Sequence, residues 1–406
     1  MTWMSSVDRD LMETIVALLR DRLPRPWRID LDVWESPDTS LRVRWQLPDY
    51  RLTISPPTGR PARVAAVVRQ SLTPKAALEA GSAVRLALVP ADGTLGLFED
   101  VDGALLVTYF LSERARELLA PTGISYADST GNIRISLDDP PLFIETSGLN
   151  RLPASPRYYT PKALTAEPTR VRQAILFDQT PRLMPPRVLQ SFKGPGAALG
   201  IRALVDYRPP YGLRELAEQA GVSLGTLSRV LDFAEGEVLI ERASRGPITR
   251  VDWEGFLRRW AKDYSLFGSN ESRLFLEPRG VGAVAERLRS FEGRYAVSGS
   301  LAAHTVAPEA PAALAVIYVD SLDVADELRL RPTDTGGNVM LVRPFPSARS
   351  SQALAPFLRT RMVDQVVYVA LSQAVVDLLT SPGRGPAEAE ALLTWMKANE
   401  DAWRLA

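Results

Sequence analysis

With 406 residues, 46% of them hydrophobic and 24% charged, the chain has material for two or three globular domains and is too apolar to be a disordered polymer. Its 48 Lys and Arg balance its 48 Asp and Glu, so no overall basic field draws it to nucleic acid. The lack of cysteine excludes disulfides, thiolate zinc sites and cysteine nucleophiles, and a single histidine, His304, excludes multi-histidine metal centres.

The opening residues carry Asp8, Asp10 and Glu13 on an amphipathic pattern, unlike the basic-then-apolar start of a signal peptide. No apolar run approaches the roughly 18 residues that a spanning helix needs. Both features predict a cytoplasmic protein.

In chain order, the spacing predicts a helix over 6–23 and an alternating strand over 27–34. Further strands are expected at 41–47, 50–54 and 63–68, and a helix opening at Pro74, where proline suits the first turn. Residues 105–110 read as a buried strand, 112–119 as a helix capped by Ser112, and 133–137 and 142–145 as short strands. Asp128-Ser129-Thr130-Gly131-Asn132 has the composition of a β-turn. This order predicts an α/β domain over 1–155 of restriction-endonuclease-like type. Such a site needs an Asp on one strand and Glu/Asp-x-Lys on the next, so that carboxylates hold Mg²⁺ and lysine orients water. Asp49 supplies a first acid, but Val67 stands where the second is wanted and Arg69 where the lysine is wanted. The domain is predicted inactive, with no metal, no cofactor and no catalytic residue.

Residues 156–195 form a proline-rich connector with a helix expected near 169–177. From Arg151 to Arg202 there are nine basic residues (Arg151, Arg157, Lys162, Arg170, Arg172, Arg182, Arg187, Lys193 and Arg202) against Glu167 and Asp178. Such a stripe can neutralise phosphates; it can equally be a solvated linker.

Residues 196–265 carry the strongest signal. A helix over 197–207 precedes a short amphipathic helix over 212–220; Gly221-Val222-Ser223 is then a tight turn, with glycine free to take positive φ and Ser223 placed to cap the next helix. That helix, 223–233, turns Leu224, Leu227, Val230 and Leu231 to one face, and Gly225, Thr226, Ser228 and Arg229 to the other. Strands at 238–242 and 248–251 flank a loop with Arg245 at its tip, and 253–264 is a helix leaving the unit. Two helices joined by a glycine turn, then a β-hairpin, predict a winged helix-turn-helix that seats its second helix in the major groove. Ser223, Gly225, Thr226, Ser228 and Arg229 are the candidate groove residues, and Arg245 and Arg250 the wing contacts. An ordinary helical hairpin followed by a β-hairpin would give the same pattern.

Residues 266–406 predict a second α/β unit, with helices at 281–291, 372–380 and 386–404 and strands at 294–297, 312–319 and 339–344. Val297-Ser298-Gly299-Ser300 leads into a helix in the manner of nucleotidyltransferase folds, but the following strand offers only Asp320 where two carboxylates would hold a metal pair. A plain helix start is the favoured reading. Asp334-Thr335-Gly336-Gly337-Asn338 reads as a turn or a small anion nest, and Gly383-Arg384-Gly385-Pro386 as a helix start.

Several of these blocks together resemble a family of helix-turn-helix regulators related to the AbiEi antitoxins of type IV toxin–antitoxin systems. They are Tyr126-Ala127-Asp128-Ser129-Thr130-Gly131-Asn132-Ile133, residues 212–231, Ser298-Gly299-Ser300-Leu301-Ala302-Ala303, residues 334–342, and Ser372-Gln373 through Gly385-Pro386-Ala387-Glu388. The resemblance implies transcriptional regulation and an antitoxin-like relation to a partner protein, and the helix-turn-helix predicts binding to double-stranded DNA as a homodimer on a two-fold site. The rival expectations are a metal-dependent nuclease or nucleotidyltransferase with an irregular site, and an interaction protein that neutralises a partner enzyme through 266–406.

Overall fold

The computed structural model describes residues 6–34, 48–88, 101–150, 191–242, 246–309, 311–344 and 355–405. The chain is α/β, as expected, and divides into two compact units, Met1–Met184 and Pro185–Ala406. The strand expected at 41–47, the helix near 169–177, the rest of the connector up to 190 and the loop 243–245 lie outside the described residues.

The first unit is built on one mixed sheet of seven strands lying side by side in chain order. These are β1 (Arg28–Val33), β2 (Tyr50–Ser55), β3 (Ala62–Val68), β4 (Gly103–Thr108), β5 (Ser125–Asp128), β6 (Ile133–Leu137) and β7 (Leu142–Thr146). The central β3, β4 and β5 are parallel, and the outer pairs are antiparallel. Parallel neighbours need covered crossovers, supplied by α2 (Pro74–Leu88) and α3 (Glu113–Leu119). β3 and β4 are therefore apolar on both faces, which explains their unbroken Val, Ala and Leu runs. Leu11, Met12, Ile15 and Leu19 of α1 (Ser6–Arg22) pack with Leu52, Ile54, Val64 and Val107. Ala77, Ala115 and Leu119 pack with Val67, Leu106 and Tyr126.

Ser112 caps α3 as expected, its Oγ accepting from Ala115 N at 3.2 Å. The expected turn at 128–132 is present, closed by Gly131 N–H to Asp128 O at 3.1 Å with Gly131 at φ 97°. It begins on the buried strand β5, which the sequence reading omitted. The buried Asp128 carboxylate accepts from Leu111 N, Thr130 N and Oγ1, and Asn132 N and Nδ2, at 2.7–3.1 Å. These bonds make the block a structural clip.

The second unit begins with α4 (Pro195–Asp206), α5 (Leu213–Ala220), α6 (Leu224–Gly236), the hairpin β8 (Ile240–Arg242) and β9 (Ile248–Val251), and α7 (Trp253–Ala261). A second seven-stranded mixed sheet follows, in the order β13 (Arg331–Pro332), β10 (Asn270–Leu276), β14 (Val339–Pro344), β12 (Ala315–Val319), β11 (Tyr295–Ser298), β16 (Val366–Tyr368) and β15 (Arg361–Val363). α8 (Val281–Leu288), α9 (Gly299–His304), α10 (Val324–Glu327), α11 (Leu371–Leu379), α12 (Gly385–Ala398) and α13 (Glu400–Trp403) complete it. The single helix expected over 386–404 is broken at Asn399, whose φ of −133° leaves the helical region. One apolar core runs from Leu199 and Leu204 through Leu227 and Trp260 to Val376 and Leu392, and a second gathers Val284 and Leu288 of α8 with Ile317 and Leu341 of the sheet. Among the described residues no helix is long and apolar enough to cross a membrane.

A buried polar network threads this core. Arg202 of α4 is wholly buried and donates to Asp206 at 3.0 Å, to Ala355 O and Leu358 O at 2.6 Å, and to Gln373 at 3.3 Å. Asp206 also accepts from Arg359 at 2.8 Å and from the Ser372 hydroxyl. Burial pushes the Asp206 carboxyl up, but Arg202, Arg359 and Ser372 outweigh it and leave it below its ordinary value. Gln373 continues the chain by donating to Asp377 at 2.9 Å. The wholly buried Asp377 also accepts from Ser298 at 2.5 Å, Tyr264 at 2.9 Å and Tyr318 at 3.0 Å. Burial raises the Asp377 carboxyl to about 6, the four donors only partly restraining it.

A carboxyl raised on folding stabilises most when protonated, so its contribution is full at acid pH and disappears as pH rises through about 6. Lowering pH from 8 to 5 is therefore expected to add about 1 kcal/mol through this group. Asp377→Asn should remove that part of the pH response in urea denaturation; an identical response in wild type and variant would contradict the assignment.

Candidate nucleic-acid interface

The surface around α5 and α6 follows from local rules. Leu216, Ala217 and Ala220 turn α5 inward, and the Tyr211 hydroxyl, just ahead of it, donates to Leu204 O of α4 at 2.9 Å. Gly221 ends α5 in the left-handed region at φ 64°, its N–H reaching Glu218 O, while Val222 N–H reaches Ala217 O, each at 3.1 Å. Ser223 then caps α6, its Oγ accepting from Thr226 N at 3.2 Å and lying 3.0 Å from Thr226 Oγ1. Leu227, Val230, Leu231 and Ala234 are the buried side of α6.

Ser223, Gly225 and Arg229 are exposed, and Thr226 and Ser228 are half-buried. A Cβ on Gly225 would meet nothing within 4 Å, so the outer surface of the first turn is open. A Cβ on Gly196 would lie 3.0 Å from the Thr226 methyl, which places the first turn of α4 beside that residue. Leu224, assigned from its spacing to the inner face, stands exposed at the start of α6 because the helix begins there and its first turn projects past the core.

The expected hairpin is present but shorter, and Tyr211 bridges to Ile248 at its base. Its described arginines are ion-paired: Arg250 with Glu241 at 2.8 Å, and Arg242 with Glu235 at 2.8 Å and Asp232 at 3.5 Å. Arg245 lies outside the described residues. Arg229 has no carboxylate partner among the described residues; its Nε donates to Gly225 O at 3.1 Å, along its own helix. Arg214 on α5 and Lys193 ahead of α4 are also exposed, and no ion pair engages either among the described residues. Sequence reasoning passed over Arg214 as part of a helix pattern and placed Lys193 only within the connector. The signal available for Arg214 was its outward position in the first turn of α5. Arg202, counted in the basic stripe, belongs instead to the buried network, because α4 turns it into the core.

The other candidate places are engaged internally. Asp49 Oδ2 accepts from Val68 N at 2.8 Å and Arg69 Nη1 at 3.0 Å, and Val67 is fully buried. Burial raises the Asp49 carboxyl, with Val68 N–H and Arg69 opposing. Ser298 is buried on Asp377, and Asp320 pairs with Arg294 at 2.6 Å. Asn338 clips Glu277, accepting from its N–H at 2.7 Å and donating to its carbonyl at 2.9 Å. Among the described residues no three His, Asp or Glu side chains gather as a metal site.

Comparison with family models, with curated proteins and with solved structures returned no match to the chain.

Proposed function

We propose that residues 196–265 form a winged helix-turn-helix that binds double-stranded DNA, and that the protein is a sequence-specific transcriptional regulator. The observation carrying this reading is the outer surface of α6: a capped helix with an open glycine, small hydroxyls and an arginine with no carboxylate partner among the described residues. Capping satisfies the helix terminus, the glycine admits close approach, and the arginine can reach a guanine edge or a phosphate. Arg214 and Lys193 add phosphate contacts. In the same reading 1–155 is a restriction-endonuclease-like domain without catalysis, since Arg69 occupies Asp49 and Val67 brings no second acid. The sheet of 266–406 is then nucleotidyltransferase-like, and the regulator acts as an antitoxin-like homodimer on a two-fold site.

Arg229→Ala tests the reading. If the side chain reads a base, affinity for the cognate duplex falls by about 1–3 kcal/mol in an electrophoretic shift assay. Unchanged affinity removes Arg229 from the interface.

A further inference from the structure

Resting on the DNA reading, we infer that Leu224 is a specificity-determining residue, recognising the C5-methyl group of a pyrimidine in the major groove. Leu224 is the first residue of α6 and is 45% exposed, although its neighbours on the buried side, Leu227 and Leu231, are 0% and 1% exposed. On either side of it stand Ser223 and Gly225, and a Cβ on the latter would meet only open space. The isobutyl group therefore rises above the first turn.

The polar groups of that turn are already engaged with one another. The Ser223 and Thr226 hydroxyls lie 3.0 Å apart, Ser223 accepts from Thr226 N, and Arg229 donates to Gly225 O. The Ser223–Thr226 contact uses one of the two hydroxyl protons, and the turn sets the direction of what remains for a base edge. Leu224 gives up nothing, because its exposed surface gains by leaving water. The apolar feature that the major groove offers is the pyrimidine C5-methyl, present in thymine and in 5-methylcytosine and absent from uracil and cytosine. Removing one methyl from such a contact costs about fourfold in affinity, which is about 0.8 kcal/mol.

The full-length protein is used to enrich duplexes from a random-sequence pool, and each thymine of the enriched site is then replaced singly by deoxyuridine. The expected result is one or two positions at which wild type loses about fourfold, while Leu224→Ala binds thymine and uracil forms equally. A second arm places 5-methylcytosine at cytosines of the site; a gain there that Leu224→Ala lacks identifies that base as the methyl source. Wild type indifferent to every thymine and to cytosine methylation overturns the inference, as does an unchanged methyl response in Leu224→Ala. If Leu224→Ala instead abolishes association with a protein and leaves the methyl response intact, Leu224 belongs to a protein contact. Failure to enrich any duplex overturns the DNA reading itself, an outcome distinct from a methyl-blind site. Because the side chain is exposed, the variant should keep the wild-type melting temperature.

Discussion

Gly225→Glu is expected to abolish duplex binding while leaving the protein folded. A Cβ at Gly225 meets no atom within 4 Å, so the new side chain has space. The position is the second residue of α6, where a carboxylate is favoured by the helix dipole and glycine is the poorer helix former. The melting temperature should stay level or rise by a few degrees, since these effects amount to about 1 kcal/mol. On the DNA side, a carboxylate is thrust among phosphates and acceptor-rich base edges, and like charges brought together cost several kcal/mol. The affinity loss should be a hundredfold or more, on the order of 3 kcal/mol. Binding at wild-type strength would mean that this surface of α6 does not face the duplex.

Asp206→Ala should produce the largest stability loss. Arg202 is fully buried and Arg359 nearly so, and Asp206 is the carboxylate both engage. The other bonds of Arg202, to Ala355 O, Leu358 O and Gln373, solvate its guanidinium without neutralising it. Removing one member of a buried ion pair costs about 3–5 kcal/mol, because the remaining charge stays out of water. Urea denaturation should show a loss of that size. A loss below about 1 kcal/mol would mean that Asp206 is not the counter-charge to these arginines. The network joins α4, which supports α5 and α6, to α11, so α6 is mounted on the same core as the second sheet.

Much of this was legible in the sequence where the signal is local. Gly221 and Ser223 mark the turn and cap ahead of α6, and the continuous apolar runs of β3 and β4 mark buried parallel strands. Strand β10 was missed because Asn270-Glu271-Ser272-Arg273 looks like a loop until its pairing with β14 is known. Strands β15 and β16 are three residues each, and the turn between them holds Asp364 and Gln365 at positive φ with no glycine to announce it. Long-range partners were beyond reach: Arg202 meets Gln373, and Asp206 meets Ser372, across more than 150 residues. Charge was legible as a count but not as pairing. Arg250 faces Glu241 across the hairpin and Arg202 is buried, whereas Arg214 and Lys193 stand exposed without an ion pair among the described residues.

The central claim is tested most directly by titrating an enriched duplex, and a scrambled duplex of equal length, with the full-length protein over a series of salt concentrations. The account predicts tighter binding to the enriched duplex at every salt concentration. It also predicts that affinity falls with a log–log slope of about −2 to −3 per bound copy, from Lys193 and Arg214 at phosphates and Arg229 at a phosphate or a base. Equal affinity for both duplexes, or affinity indifferent to salt, would contradict it.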